Sequence, residues 1–283
     1  MHPNRVTPKE FHQLSSLCFL RSPRVSLPFL SAFLSAVSAF SAVKILISER
    51  HGVVAAYITS DVHLRLDRPE RAGRFARWVE GLDPADALFL VGDLCDFWYA
   101  SRQRRADPRS CPGLRAVAAF RDRGGAVTIL PGNHDGSLGA LYESALGARF
   151  VPGPLDVELF GLRVHLVHGH HLGARRAWKG VMESRTFLRG FGLAPGPLAR
   201  GLEALLEASN ARGRAASDRR HLAVYRRYAA ARADRVDLVV FGHIHHPTDE
   251  AAGSPRLVVL GSWHRGASFL KLDAAGAALR AEP

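Results

Sequence analysis

Seven residues, gathered in five short clusters, carry side chains that bind divalent metals. In chain order they are Asp61 and His63 in S-D-V-H, Asp93 in V-G-D-L-C-D, Asn133 in P-G-N-H-D, His168 in H-G-H, and His243 with His245 in G-H-I-H. Carboxylate oxygens, imidazole nitrogens and one amide carbonyl make a mixed hard and borderline donor set without thiolate. Such a set suits Mn²⁺, Fe²⁺ or Zn²⁺ better than Ca²⁺. Seven donors exceed what a single catalytic ion with an open position takes, so two divalent ions are implied. A carboxylate such as Asp93 can bridge ions roughly 3.5–4 Å apart, an arrangement suited to in-line displacement at phosphorus. A lone D-x-H or G-H-x-H is common by chance; five clusters in order are not.

What must position them is a set of strands. Each cluster directly follows a short apolar run: Val53–Thr59, Ala87–Val91, Ala126–Leu130, Arg163–Val167 and Leu238–Phe241. Helical patterns fill the first intervals, at Glu70–Leu82 and Leu114–Arg123. Strands alternating with helices predict a layered α/β domain. In such sheets ligands collect at the carboxyl ends of strands, so the five clusters are expected to converge on one edge. Leu257–Leu260 and Ser268–Leu272 read as two closing antiparallel strands.

Three segments follow from this grammar. Residues 53–170 and 237–275 form the core, and residues 171–236 a helical insertion, with leucines at 198, 202, 205 and 206 on one helical face and Leu222, Tyr225 and Tyr228 or Ala229 on a second. Thirteen arginines and Lys179 against five acids give that insertion +9 of the chain's net +12. Residues 1–52 read as an N-terminal extension, poorly structured or weakly membrane-associating. They hold nine of the twenty serines and an uncharged stretch, Val25–Val43, interrupted by Pro28. The composition, 47% hydrophobic and 23% charged over 283 residues, excludes disordered and collagen-like classes. Cys18, Cys95 and Cys111 form no C-x-x-C pair, which argues against a disulfide scaffold and for a reducing compartment. The basic excess calls for an anionic partner; confined to one insertion without a nucleic-acid motif, it does not point to nucleic acid.

The series S-D-V-H, G-D-L-C-D, G-N-H-D, H-G-H and G-H-I-H resembles the calcineurin-like binuclear metallophosphoesterases across about residues 53–273. The resemblance implies a four-layer α/β/β/α sandwich, here with a helical lid. It further implies one ion held by Asp61, His63, Asp93 and His245 and a second by Asp93, Asn133, His168 and His243. His134 would contact the substrate phosphate and assist the leaving group. Within the superfamily, G-D-L-C-D-F-W (Gly92–Trp98), G-H-I-H-H-P (Gly242–Pro247) and L-G-S-W-H-R-G-A-S (Leu260–Ser268) look like the UDP-2,3-diacylglucosamine pyrophosphatases of lipid A synthesis. Those enzymes use two divalent ions, usually Mn²⁺, to release UMP and 2,3-diacylglucosamine 1-phosphate at the cytoplasmic face of the inner membrane. The resemblance thus implies a nucleotide-activated lipid substrate, an anionic membrane surface as partner and a peripheral cytoplasmic location.

The pattern departs from that family at three places, where His134, His170 and His246 replace a common Arg, Asp and Arg. An Arg at 134 would be a fixed clamp on a diphosphate, whereas His is the general superfamily form and can serve as an acid. Hydrolysis of another phosphodiester or nucleotide diphosphate is therefore the alternative. Asp96 reads as a supporting or loop residue, Asp135 as orienting a neighbouring His, and Trp98 and Trp263 as cleft walls or buried aromatics. His51, His165, His221 and His264 have no spacing that assigns them a role.

Overall fold

The apolar runs pair into two six-stranded sheets in a computed structural model that describes residues 52–96, 106–172, 214–251, 255–264 and 266–281, the backbone of 45–46, and short runs between 187 and 205. Of residues 214–217 only the backbone is described. The rest of the expected N-terminal extension, with Val25–Val43, and most of the expected lid lie outside the described residues.

The first sheet has the order β12-β11-β2-β3-β4-β5, with β2 (Ala56–Thr59), β3 (Ala87–Val91), β4 (Ala126–Leu130) and β5 (Arg149–Phe150) parallel. β11 (Ser268–Asp273) closes one side antiparallel to β2, and β12 (Gly276–Ala281) is antiparallel to β11. The second sheet runs β1-β6-β7-β8-β10-β9. In it β7 (Leu162–Val167), β8 (Leu238–Phe241) and β10 (Arg256–Val259) are parallel, while β6 (Leu155–Leu159) and β9 (Thr248–Glu250) are antiparallel to β7 and β10. β1 (Ile45–Leu46), inside the stretch read as an extension, pairs in parallel with β6.

One expectation about the closing strands is corrected, and the other strand, Ser268–Asp273, is antiparallel as expected. The run at Leu257–Leu260 is parallel to β8 rather than antiparallel, and it lies in the other sheet from the run at Ser268–Leu272. β12 adds a hairpin partner beyond Ala275 that its half-exposed G-A-A-L-R-A sequence did not announce.

Side-chain alternation makes the layers. Ile58, Phe89, Val91 and Leu270 of the first sheet meet Val157, Val164, Leu166, Val240 and Val258 of the second in the inter-sheet core. The opposite face of the first sheet, with Leu88, Leu90, Val127 and Ile129, receives α1 (Pro69–Glu80), α2 (Pro112–Asp122) and α3 (Gly139–Leu146). α1 starts at a proline suited to the first helical position and buries Ala72, Phe75, Ala76 and Val79, the i, i+3, i+4, i+7 stripe of a surface helix. The outer face of the second sheet, with Val167, Phe241 and Val259, is covered by α4 (Arg214–Ala230) through Tyr225 and Ala229. Helix, sheet, sheet, helix is the four-layer α/β/β/α order. α4 falls within the segment expected to be a lid, and it packs as the fourth layer, with Tyr225 stacked on Phe241 at 4.1 Å.

Candidate metal centre

All five clusters leave the carboxyl ends of parallel strands, three in one sheet and two in the other, so they meet at one end of the sandwich. The loops continue the pairing past the strands. Asp61 N–H donates to the Gly92 carbonyl at 3.1 Å, and His63 N–H to the Asp93 carbonyl at 2.9 Å. To turn their side chains inward, Asp61, His63, Asp93 and His243 adopt positive φ, between 52° and 66°. Left-handed backbone at a non-glycine residue costs on the order of 1 kcal/mol. Phe160 is the one other such residue among those described, so strain concentrates at the candidate ligands. Gly132 permits the closest approach, because a Cβ there would lie 2.0 Å from Asp93 Oδ1.

The side chains form three overlapping groups whose ligand atoms lie within 4.8 Å of one another: Asp61, His63 and His245; His63, Asp93 and His134; and Asp93, His168 and His243. Asp93 belongs to two of them. Its Oδ2 stands 3.3 Å from His168 Nε2 and 4.0 Å from His63 Nε2, while Asp61 Oδ1 stands 3.4 Å from His245 Nε2. The buried atoms Asp61 Oδ1, His63 Nδ1 and Nε2, Asn133 Oδ1, His168 Nε2 and His245 Nδ1 make no hydrogen bond. Each such orphan costs about 1–3 kcal/mol. The two nitrogens of one imidazole point apart, so each histidine can offer one of them; with the carboxylate and amide oxygens these unpartnered buried atoms fit divalent cations, which would supply missing partners.

Neighbouring groups aim the donors. His168 Nδ1 is 2.8 Å from the Val91 carbonyl, which takes its N–H and leaves Nε2 facing Asp93. Asp61 Oδ2 accepts from Ser60 Oγ at 2.6 Å and from His243 N–H at 2.8 Å, leaving Oδ1 to the site. In the metal-free arrangement, burial pushes the carboxyls of Asp61 and Asp93 upward, but the histidines around them, His168 foremost, hold both well below the usual carboxylate range. Burial disfavours charge on His168, and Asp93 and Asp61 outweigh it, raising it to about 9. His243, desolvated and beside His168, is held neutral.

His134 sits at the edge of the group. Its backbone N–H donates to Asp93 Oδ1 at 2.8 Å, and its ring Nδ1 lies 2.6 Å from Asp96 Oδ1. Burial opposes its protonation, yet Asp93 and Asp96 together raise it to about 10. Asp135 does not orient a histidine, contrary to expectation. Its carboxylate accepts from the backbone N–H of Asp93, Leu94 and Gly132 and from Tyr142 Oη at 2.8 Å, knotting the G-D-L-C-D and G-N-H-D loops together.

Beyond the seven, the structure brings in residues whose spacing gave no signal. His264 packs on His245 and His63, with ring centroids 5.4 and 5.0 Å away, and His221 from α4 lies 5.3 Å from His243. His170 lies 5.3 Å from His168. His246 is exposed and faces the Pro247 carbonyl. Cys95 and Trp263 are fully buried, and Trp98 lies outside the described residues.

The family model of the calcineurin-like phosphoesterases matches residues 56–247 of the chain. The UDP-2,3-diacylglucosamine hydrolase of Stenotrophomonas maltophilia is 31% identical over 241 residues, covering 77% of this chain and 94% of that protein. Proteins of the same name from Xanthomonas axonopodis pv. citri and Haemophilus influenzae are 30% and 25% identical, each over 78% of this chain and 96% of their own length.

Proposed function

The chain belongs to the calcineurin-like phosphoesterases and is a metal-dependent hydrolase, and on that premise we propose that it cleaves the diphosphate of UDP-2,3-diacylglucosamine to UMP and 2,3-diacylglucosamine 1-phosphate. The observation that carries the substrate is the likeness to hydrolases of that name over more than three quarters of the chain.

In this reading Asp61, His63, Asp93 and His245 hold one divalent ion and Asp93, Asn133, His168 and His243 the other, with Asp93 shared. The overlapping donor groups and the orphaned buried atoms support that division. Mn²⁺ suits the mixed oxygen and nitrogen set. When bound, the ions supply Lewis-acid stabilisation of phosphoryl charge and a nucleophile at neutral pH. The protein's own part is positional. Asp96 takes the Nδ1–H of His134, which fixes the ring and leaves Nε2 to face a substrate phosphoryl oxygen or leaving group. His134 keeps some exposure at the mouth, as a group that meets substrate requires.

A lipid substrate and an anionic membrane surface find support in the segment expected to be the lid. Leu193, Leu198 and Leu205 are each more than 60% exposed, apolar surface that acyl chains can cover. No helix among the described residues is long and apolar enough to cross a membrane; a peripheral position at the cytoplasmic face of the inner membrane belongs to the proposal. A second reading, hydrolysis of a soluble phosphodiester or nucleotide diphosphate, is favoured by His134. Assays of UMP release with Mn²⁺ and detergent, beside a soluble panel, separate the two. Turnover of the lipid is expected; turnover of the soluble panel alone would replace it with the second reading.

A further inference from the structure

We propose that His264 is a substrate-contacting residue, offering an imidazole N–H to a non-bridging phosphoryl oxygen at the mouth of the metal centre. The inference rests on the reading of that centre as the place where phosphoryl substrate binds.

Residue 264 is held at the mouth by the residue before it. Trp263 is fully buried, its indole N–H donates to Thr59 Oγ1 at 2.9 Å, and its ring stands edge-on to Phe75 and Trp78. Its backbone N–H donates to the Asp61 carbonyl at 3.2 Å, and Arg74 from α1 donates to its carbonyl. The loop is thereby tied both to the first-sheet core and to a candidate ligand.

The chain then turns outward. His264 is exposed, and its ring lies nearly parallel to His245, 17° between planes, and 5.0 Å from His63. His134 borders the same His63 ring at 4.9 Å, so two imidazoles frame one edge of the Asp61–His63–His245 group. Unlike His134, His264 belongs to none of the three donor groups, and its ring nitrogens make no hydrogen bond to the described residues. An imidazole carried on an anchored loop beside a site for anionic oxygens is placed to donate to charge that develops on phosphoryl transfer.

The test compares Mn²⁺-loaded wild type with His264→Ala and His264→Gln. It measures metal content, melting temperature, affinity for inorganic phosphate by calorimetry, and hydrolysis of bis(4-nitrophenyl) phosphate and of UDP-2,3-diacylglucosamine. For His264→Ala the expected result is unchanged metal content and melting temperature, phosphate affinity weakened about tenfold, and kcat/KM lower by about 10–100-fold. His264→Gln, which keeps an N–H donor, recovers part of both losses. Unchanged phosphate affinity and turnover in His264→Ala would overturn the inference, and so would loss of a metal ion. Wild type that cleaves the diester but not the lipid contradicts the lipid assignment alone, and the phosphate and diester results still decide for or against His264.

Discussion

His134 Nδ1 and Asp96 Oδ1 lie 2.6 Å apart although 38 positions separate them in the chain. The contact joins the loop after β3 to the loop after β4. It turns Asp96, the second aspartate of G-D-L-C-D, into the partner that fixes the direction of the His134 ring and favours its protonated form. Asp96→Asn keeps the shape and removes the charge. Metal content should hold while turnover falls by about 10–100-fold, the usual effect of losing such a supporting group. Steady-state kinetics beside metal analysis checks it; full activity would remove His134 from its assigned role.

Asp93, like His63, is shared between two donor groups, and it is the carboxylate that reaches both His63 and His168. Asp93→Ala should abolish turnover and lower metal content together, as measured by elemental analysis. Asp61→Ala should also weaken metal binding, since His245 Nε2 stands 3.4 Å from its Oδ1.

Gly132→Ala is a test of crowding rather than charge. The added methyl would meet Asp93 Oδ1 at 2.0 Å and the Asp93 backbone nitrogen at 2.3 Å, so the loop must shift. Because the collision is partly with backbone, relief by a simple rotamer change is excluded. Activity and metal affinity are expected to fall together, read by metal titration of the variant.

Proton release should accompany metal uptake. In the metal-free protein His168 is raised to about 9, so at pH 7.5 it carries a proton that a metal ligand cannot keep. Calorimetric titration of Mn²⁺ in buffers of different ionisation enthalpy should show release of at least one proton. The sign for stability follows from the same shift. A histidine whose folded pKa lies above its unfolded value of about 6.5 contributes stability that is full below 6.5 and lost as pH rises through about 9. The metal-free protein should therefore melt at lower temperature at pH 9.5 than at pH 6.5, and Mn²⁺ should reduce that difference.

Much of the site was legible because its residue types are rare in combination and each cluster ends a recognisable strand. Runs such as A-L-F-L-V of β3 and L-V-V-F of β8 are buried along their whole length, as parallel strands between layers must be. Less legible was whatever depends on the chain meeting itself. β10 reads as an apolar run of either sense, and only its place beside β8 makes it parallel. The stripe of Leu222, Tyr225 and Tyr228 or Ala229 predicts an apolar face but not the sheet it covers. His264 reaches His245 through a tryptophan anchor with no spacing signal, and Asp135 serves backbone N–H groups that carry no sequence identity. Strain at Asp61, His63, Asp93 and His243 is likewise invisible in residue type, since these are not glycines.

The central claim is a two-metal centre sharing Asp93, and anomalous diffraction at the Mn edge from crystals grown with Mn²⁺ tests it most directly. The expected map has two peaks flanking the Asp93 carboxylate, one beside Asp61, His63 and His245 and the other beside Asn133, His168 and His243. A single peak, or two peaks of which neither contacts Asp93, would contradict the account.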